Sequence, residues 1–280
     1  MTSEFLRWNA EPDLRSPVLV CAFEGWNDAG EAATTAARFL ADRGSAPVVA
    51  SIDAEEFYDF TTVRPRVELD HRQRRSLIWP ANDFRATSIN GHDFVILTGY
   101  EPQLKWRTFS SVIIDLARQI DARLVVTLGA LLTDVPHSRP VPVYGSTDNT
   151  TLAGELDLEM SSYEGPTGIV GALQTQCHTV GLPTASLWAA VPSYVSGAQS
   201  PKAALAILDK LQQLLAVSIP TTDLEIATAD YERQISQLVE EDEDTADFVA
   251  QLEAAHDEAE QLTGNPEELI AEVERFLRDR

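Results

Sequence analysis

The sequence predicts an α/β protein: a mostly parallel sheet flanked by helices in three layers, followed by an acidic helical C-terminal extension. Three observations carry this. Val18 to Phe23 is a nearly continuous apolar run, as expected for a strand buried on both faces of a parallel sheet, and it passes through the turn Glu24 to Gly30 into residues at helical spacing. The same alternation of apolar run and helical stripe recurs as far as Val217. From Thr221 to Arg280 there are 19 acidic against 4 basic side chains, net −15, out of −23 for the whole chain. The boundary is therefore placed between an α/β domain, 1–220, and a helical extension, 221–280.

Taken in order, the turn after the first strand holds Gly25 and Gly30 and offers Asn27 or Asp28 as a cap for the helix that contains Ala32, Ala33, Ala36, Ala37, Phe39 and Leu40. A strand is predicted at Pro47 to Ile52, then a loop-like mixture of acidic and aromatic residues from Asp53 to Phe60. Thr61 to Arg75 carries Arg64, Arg66, Arg72, Arg74 and Arg75. This basic run either pairs internally with the preceding carboxylates or faces a partner or anion. Leu77 to Pro80 is a short strand candidate and Phe94 to Thr98 a stronger one, ending in a turn at Gly99 to Pro102.

Trp106 to Ile120 forms a helical stripe, and Leu124 to Leu128 is the next buried strand, with a turn expected at Gly129-Ala130. Thr133 to Thr151 reads as an excursion from the sheet with one edge strand at Val141 to Tyr144. Gly165 to Gly171 opens a helix to about Val180, and its glycines could present amides to an anion or serve packing alone. Thr184 to Val191 is the last strand, and Pro201 to Val217 an amphipathic helix with proline at its start. Beyond it, two helices are predicted on either side of the acidic run Glu240 to Asp244, and a last one over Pro266 to Arg280.

The charge of −23 argues against unaided binding to nucleic acid or to an anionic membrane. Cys21 and Cys177 sit in apolar settings and read as buried free thiols. No basic, apolar leader opens the chain and no stretch reaches the length of a membrane span, so a soluble cytoplasmic protein is expected. Zinc-site spacings, the nucleophile elbow and the phosphate-binding loop are all missing from the sequence; neither a metal nor a cofactor is expected.

Parallel strands that feed helices place their following loops on one edge of the sheet. Glu24, Trp26, Asn27, Asp28, Glu101, Trp106, His137 and Arg139 are therefore grouped as candidates for one pocket or partner surface, with the Trp26 and Glu101 turns expected together on the main concavity.

Phe23-Glu24-Gly25-Trp26-Asn27-Asp28-Ala29-Gly30, Glu55 to Phe60, Arg64-Pro65, Trp79-Pro80, Gly99-Tyr100-Glu101-Pro102 and Gly165-Pro166-Thr167-Gly168, in that order, resemble bacterial members of the proteasome-assembly-chaperone-2 family. The resemblance covers about Val18 to Val217. It implies a phosphorylase/hydrolase-like fold, a helical C-terminal extension and frequent self-association, and no established reaction. Family members can dock on the proteasome through a tail with a penultimate tyrosine, whereas Phe276-Leu277-Arg278-Asp279-Arg280 has none, so direct tail docking is not expected. The ATP-dependent carboxylate-amine ligase label that some members carry finds no glycine-rich phosphate loop here.

Two functions follow. One is a non-enzymatic, self-associating protein that binds other proteins, similar to proteasome assembly chaperones, with a trimer as one candidate assembly. The other is a hydrolase- or phosphorylase-like enzyme acting on a small molecule at the strand carboxyl ends through Glu24, Trp26, Asp28, Glu101 and His137.

Overall fold

The computed structural model describes residues 4–161 and 163–264. The chain runs β1 (Leu6–Trp8), β2 (Val18–Glu24), α1 (Ala32–Arg43), β3 (Val48–Ile52), β4 (Arg66–Leu69), β5 (Arg75–Ile78), β6 (Asn82–Ile89), β7 (His92–Tyr100) and α2 (Trp106–Gln119). It continues through β8 (Leu124–Thr133), β9 (Val143–Thr147), α3 (Thr150–Leu156), β10 (Glu159–Met160), α4 (Ile169–Thr179), β11 (Thr184–Pro192), α5 (Pro201–Leu215), α6 (Thr222–Glu240) and α7 (Glu243–Gly264). The helix expected over Pro266 to Arg280 lies outside the described residues.

Nine strands form one sheet in the order β1-β3-β6-β7-β2-β8-β11-β9-β10. Its centre, β7-β2-β8-β11, is parallel, while β1, β3 and β6 add to one side and β9 to the other in antiparallel fashion. The central strands are the ones the sequence marks as apolar runs, because helices cover both of their faces. Val18 to Phe23 is fully buried, and successive side chains point to opposite layers: Val20 and Ala22 pack with α1 and α5, Leu19, Cys21 and Phe23 with α2 and α4. Both cysteines are free and buried in the second layer, where burial pushes the Cys177 thiol up to about 12 and raises that of Cys21.

Several elements differ from the sequence-based expectation. Gly99 and Gly129 are not turns; β7 and β8 run through both. Gly129 lies under the Trp188 indole, where an added Cβ would come within 2.6 Å of the ring, so a glycine continues the strand there. The predicted edge strand at Val141 to Tyr144 is shifted to β9, and α3, capped by Asn149 on the Thr151 and Leu152 amides, fills part of what reads as loop. β6 has no counterpart in the prediction, although it is an interior strand joined to β7 by the two-residue turn Asn90-Gly91, both at positive φ.

The level at which strands end decides what the candidate residues can reach. Ile52, Asn82, Gly99 and Phe23 lie side by side across β3, β6, β7 and β2. The whole excursion 53–81 therefore leaves from and returns to the edge at which β2 and β7 end. Within it, β4 and β5 pair only with each other, as a separate hairpin. On the other flank, α6 lies on α5, with Leu224 reaching the first core layer beside Val217 and Ile219. Tyr231, Ile235, Val239 and Val249 form a small core with Tyr194 and Val195 from the loop after β11. No helix of the described residues is long and apolar enough to cross a membrane.

Candidate functional site

The turn after β2 is built on Asp28. Its Oδ1 accepts from the Ala33 and Thr34 amides at 2.7 and 3.2 Å, and its Oδ2 accepts from the Thr34 hydroxyl. Asp28 is thus the cap the sequence suggests, through a short 3-10 turn at Ala29–Glu31 rather than directly. Burial raises its carboxyl above the ordinary carboxylate value, against the opposing effect of these donors. The preceding Glu24 is ion-paired with Arg38 of α1.

Glu101, at the end of β7, joins three loops. Its Oε1 accepts from Asn27 Nδ2 and from the Ile169 amide, each at 2.8 Å, and its Oε2 accepts from the Trp26 amide at 3.3 Å. The Ile169 amide opens α4, so the anion that the Gly165 to Gly168 stretch invites at this helix N-terminus is a carboxylate of the same chain. Trp106, the first residue of α2, donates from Nε1 to the Pro102 carbonyl and packs against the second core layer. Glu24, Trp26, Asn27, Asp28, Glu101 and Trp106 therefore do come together at one edge, with the Trp26 ring 69% exposed.

His137 and Arg139 serve another place. The Tyr194 hydroxyl oxygen accepts the His137 backbone N–H at 2.7 Å and stands 2.8 Å from Nδ1, while Nε2 lies 3.0 Å from the Ser236 hydroxyl of α6. Arg139 donates from two nitrogens to the Asp257 carboxylate of α7, at 2.7 and 2.8 Å, with Glu253 nearby. Lys202 donates to the His137 carbonyl and pairs with Glu232. Both candidates thus fasten the loop after β8 to the C-terminal helices. Their partners Tyr194, Lys202 and Ser236, and the Ile169 amide, escape sequence reasoning because each lies tens of residues away along the chain; only the charge of Arg139 against the acidic extension hints at the pairing.

Burial and then the neighbouring Lys202 lower the His137 pKa below the ordinary 6.5, with Glu253 and Glu232 acting in the opposite sense. A depressed value in the folded state means that the unfolded chain binds the proton first, so the contribution of this imidazole is full above about 6.5 and is lost as pH falls through the folded value. Protection of the α6 amides, taken relative to their intrinsic exchange rate at each pH, is expected to fall between pH 7.5 and 5.5 in the wild type. The change should be smaller in His137→Asn, and an equal change in both would remove His137 as its cause.

Two clefts in the structure are lined by none of the eight candidate residues. One, of about 310 Å³, is bounded by Arg7, Asp53, Phe60, Trp79 and Pro80. The other, of about 410 Å³, lies between the loop at Pro140 to Val143 and α5. The Trp26 and Glu101 turns lie together, joined by the Glu101 carboxylate through the Asn27 side chain and the Trp26 amide, and neither turn borders these two clefts. Among the described residues no cluster of His, Cys, Asp and Glu is placed to hold a metal ion.

A profile of the PAC2 family matches residues 22–239 of this sequence, from the second half of β2 to the end of α6. The chain belongs to the PAC2 family. Its fold is similar to that of a PAC2 family protein from Streptomyces avermitilis, 45% identical with a TM-score of 0.79, over 83% of this chain and 99% of that one. A Mycobacterium tuberculosis proteasome-assembly chaperone homologue is 40% identical with a TM-score of 0.76 over the same shares. A second Mycobacterium tuberculosis protein, described as of unknown function, is 27% identical with a TM-score of 0.83 over 93% of this chain and 91% of that one. Among curated proteins, none matches. As a PAC2 chain it has the α/β fold of these structures, with the α6 helix inside the matched region.

Proposed function

We propose that this PAC2 protein is a non-enzymatic, self-associating protein of the cytoplasm that binds other proteins, similar to proteasome assembly chaperones. The observation that carries the reading is the occupancy of the strand-end carboxylates. Glu101 holds three loops, Asp28 caps α1 and Glu24 pairs with Arg38. A hydrolase or phosphorylase would need one of these, or His137, free to reach a substrate, and each is engaged in holding backbone or helices. What this edge offers outward is aromatic instead: Trp26 and Tyr163 are each 69% exposed. Large exposed aromatic side chains on a rigid support suit contact with another protein. The 40% identical relative described as a proteasome-assembly chaperone homologue supports the same class.

The test combines mass and binding. Light scattering of the purified chain at micromolar concentration should give a multiple of the 30.8 kDa chain mass. Immobilised chain should retain dissociated proteasome subunits, and Trp26→Ala together with Tyr163→Ala should weaken retention at least tenfold without lowering the melting temperature. A single-chain mass, or retention indifferent to both aromatic residues, would count against the proposal. Turnover of ester, phosphate or glycoside substrates that is abolished by Glu101→Gln would replace it with the enzyme.

A further inference from the structure

The β4–β5 hairpin leaves a set of apolar side chains uncovered by its own chain. Its register sets Val67 opposite Leu77 and Leu69 opposite Arg75, so these four share one face. Val67, Leu69 and Leu77 are 50%, 56% and 47% exposed. An isolated two-stranded hairpin is marginal in water, and an apolar face of this kind on a soluble protein marks a contact surface. The hairpin is also basic. Among the described residues, only Arg74 of the five arginines between Arg64 and Arg75 is ion-paired, with Asp70 of the same hairpin. The carboxylates Asp53 and Glu56 that precede the run are taken by Arg7 and Lys105, so the internal pairing that the sequence suggests is not formed.

A basic, apolar arm needs an acidic surface with apolar side chains of its own, and this chain carries one. Ile226, Asp230, Gln234 and Leu238 recur every four residues along α6, with Glu241 just past its end, and all are exposed, Ile226 at 60% and Leu238 at 57%. The stripe continues into the acidic run Glu240 to Asp244. Within one chain the two surfaces are held apart. The hairpin is carried by β3 and β6, and α6 and α7 are fastened behind β8 and β11, four strand spacings or roughly 19 Å away from β6 across the sheet. Complementary surfaces at opposite flanks of one edge are the arrangement that closes a ring of copies head to tail.

We propose that the β4–β5 hairpin of one copy docks on the acidic α6–α7 surface of the next. The occupant is a second copy of this chain, and the inference rests on the self-association reading while adding the contact itself. It places the acidic helices within the contact rather than at its rim. Charge complementarity of this kind sets register and speeds encounter, and the apolar side chains beneath it hold the complex.

Arg72→Glu with Arg75→Glu reverses the arm, and Glu240→Arg with Glu241→Arg reverses the helix surface. All four side chains are exposed, and arginine near the C-terminus of α6 favours the helix, so the fold is expected to persist, checked by circular dichroism. Each reversed pair alone should reduce the mass in light scattering from the wild-type assembly to a single chain, and the chain with all four substitutions should return to the wild-type mass. Full assembly of the arm-reversed chain would overturn the docking while leaving self-association in place. Loss in the arm-reversed chain without loss in the helix-reversed chain, or without recovery in the fourfold chain, would overturn α6–α7 as the occupant. A single-chain wild type would instead remove the self-association reading on which the docking rests.

Discussion

Replacing Glu101 by alanine is expected to lower stability by about 3–5 kcal/mol, a fall of roughly 10 °C in melting temperature. The truncation does more than delete three hydrogen bonds. It leaves the Ile169 amide at the start of α4 without its acceptor, and it strands the nearly fully buried Asn27 side chain, whose Oδ1 is already without a hydrogen-bond partner. Buried polar groups that lose a charged partner cost the full desolvation of what remains. Glu101→Gln keeps one carbonyl oxygen for the 2.8 Å contacts and should cost about a third as much, since geometry survives and only the charge is lost. Hydrogen exchange should locate the damage at Trp26, Asn27 and Ile169, with α6 and α7 unaffected. An alanine variant as stable as the wild type would show that the three loops hold together without the carboxylate.

The parallel centre of the sheet is legible in the sequence because burial on both faces leaves no room for polar residues. Val18 to Phe23, Phe94 to Thr98, Leu124 to Leu128 and Thr184 to Val191 all lie within observed strands for that reason. β6 escapes the same test. Asn82-Asp83-Phe84-Arg85 alternates rather than running apolar, because its side chains face the core and the rim in turn, and the Asn90-Gly91 signal that would have marked its hairpin is local and easily passed over. Gly99 and Gly129 mislead for the opposite reason. A glycine inside an apolar strand reads as its end, and the close approach of Asn82 or Trp188 that requires it depends on residues far away in the chain.

The candidate site divides along the same line. That the Trp26 and Glu101 turns share an edge follows from the handedness of parallel crossovers, and topology alone predicts it. Which side chains meet there does not follow from topology. Glu101 reaches back 74 residues to Asn27 and forward 68 to Ile169, and no spacing rule links positions so distant. His137 sits after a strand that ends on the same edge, yet its ring nitrogens are claimed by Tyr194 from the loop after β11 and by Ser236 of α6, a helix that returns from the end of the chain.

The second large effect is expected at Gly99, where alanine should cost about 3 kcal/mol through overpacking. A Cβ there would stand 2.1 Å from Asn82 Oδ1 and 2.2 Å from the Ala81 carbonyl oxygen. The Asn82 side chain cannot swing away cheaply. It is fully buried, and its Nδ2 donates to the Tyr58 hydroxyl and, at 3.2 Å, to the Tyr100 carbonyl, to which Tyr58 also donates at 2.8 Å. The Ala81 carbonyl is backbone and can move only if the start of β6 moves with it. Gly99→Ala should therefore loosen the junction where the 53–81 excursion re-enters the sheet, and with it the base of the β4–β5 hairpin, while leaving α5 and α6 protected from exchange. Adding Asn82→Ala removes one of the two obstacles and should recover only part of the loss, because the carbonyl remains. As a control for alanine itself, Gly154→Ala on α3, with nothing within 4 Å of the added Cβ, should raise stability by about 0.5–1 kcal/mol. Equal melting temperatures for Gly99→Ala and the wild type would mean that β6 yields freely beside β7, and the interior position of that strand would then contribute little to holding the excursion in place.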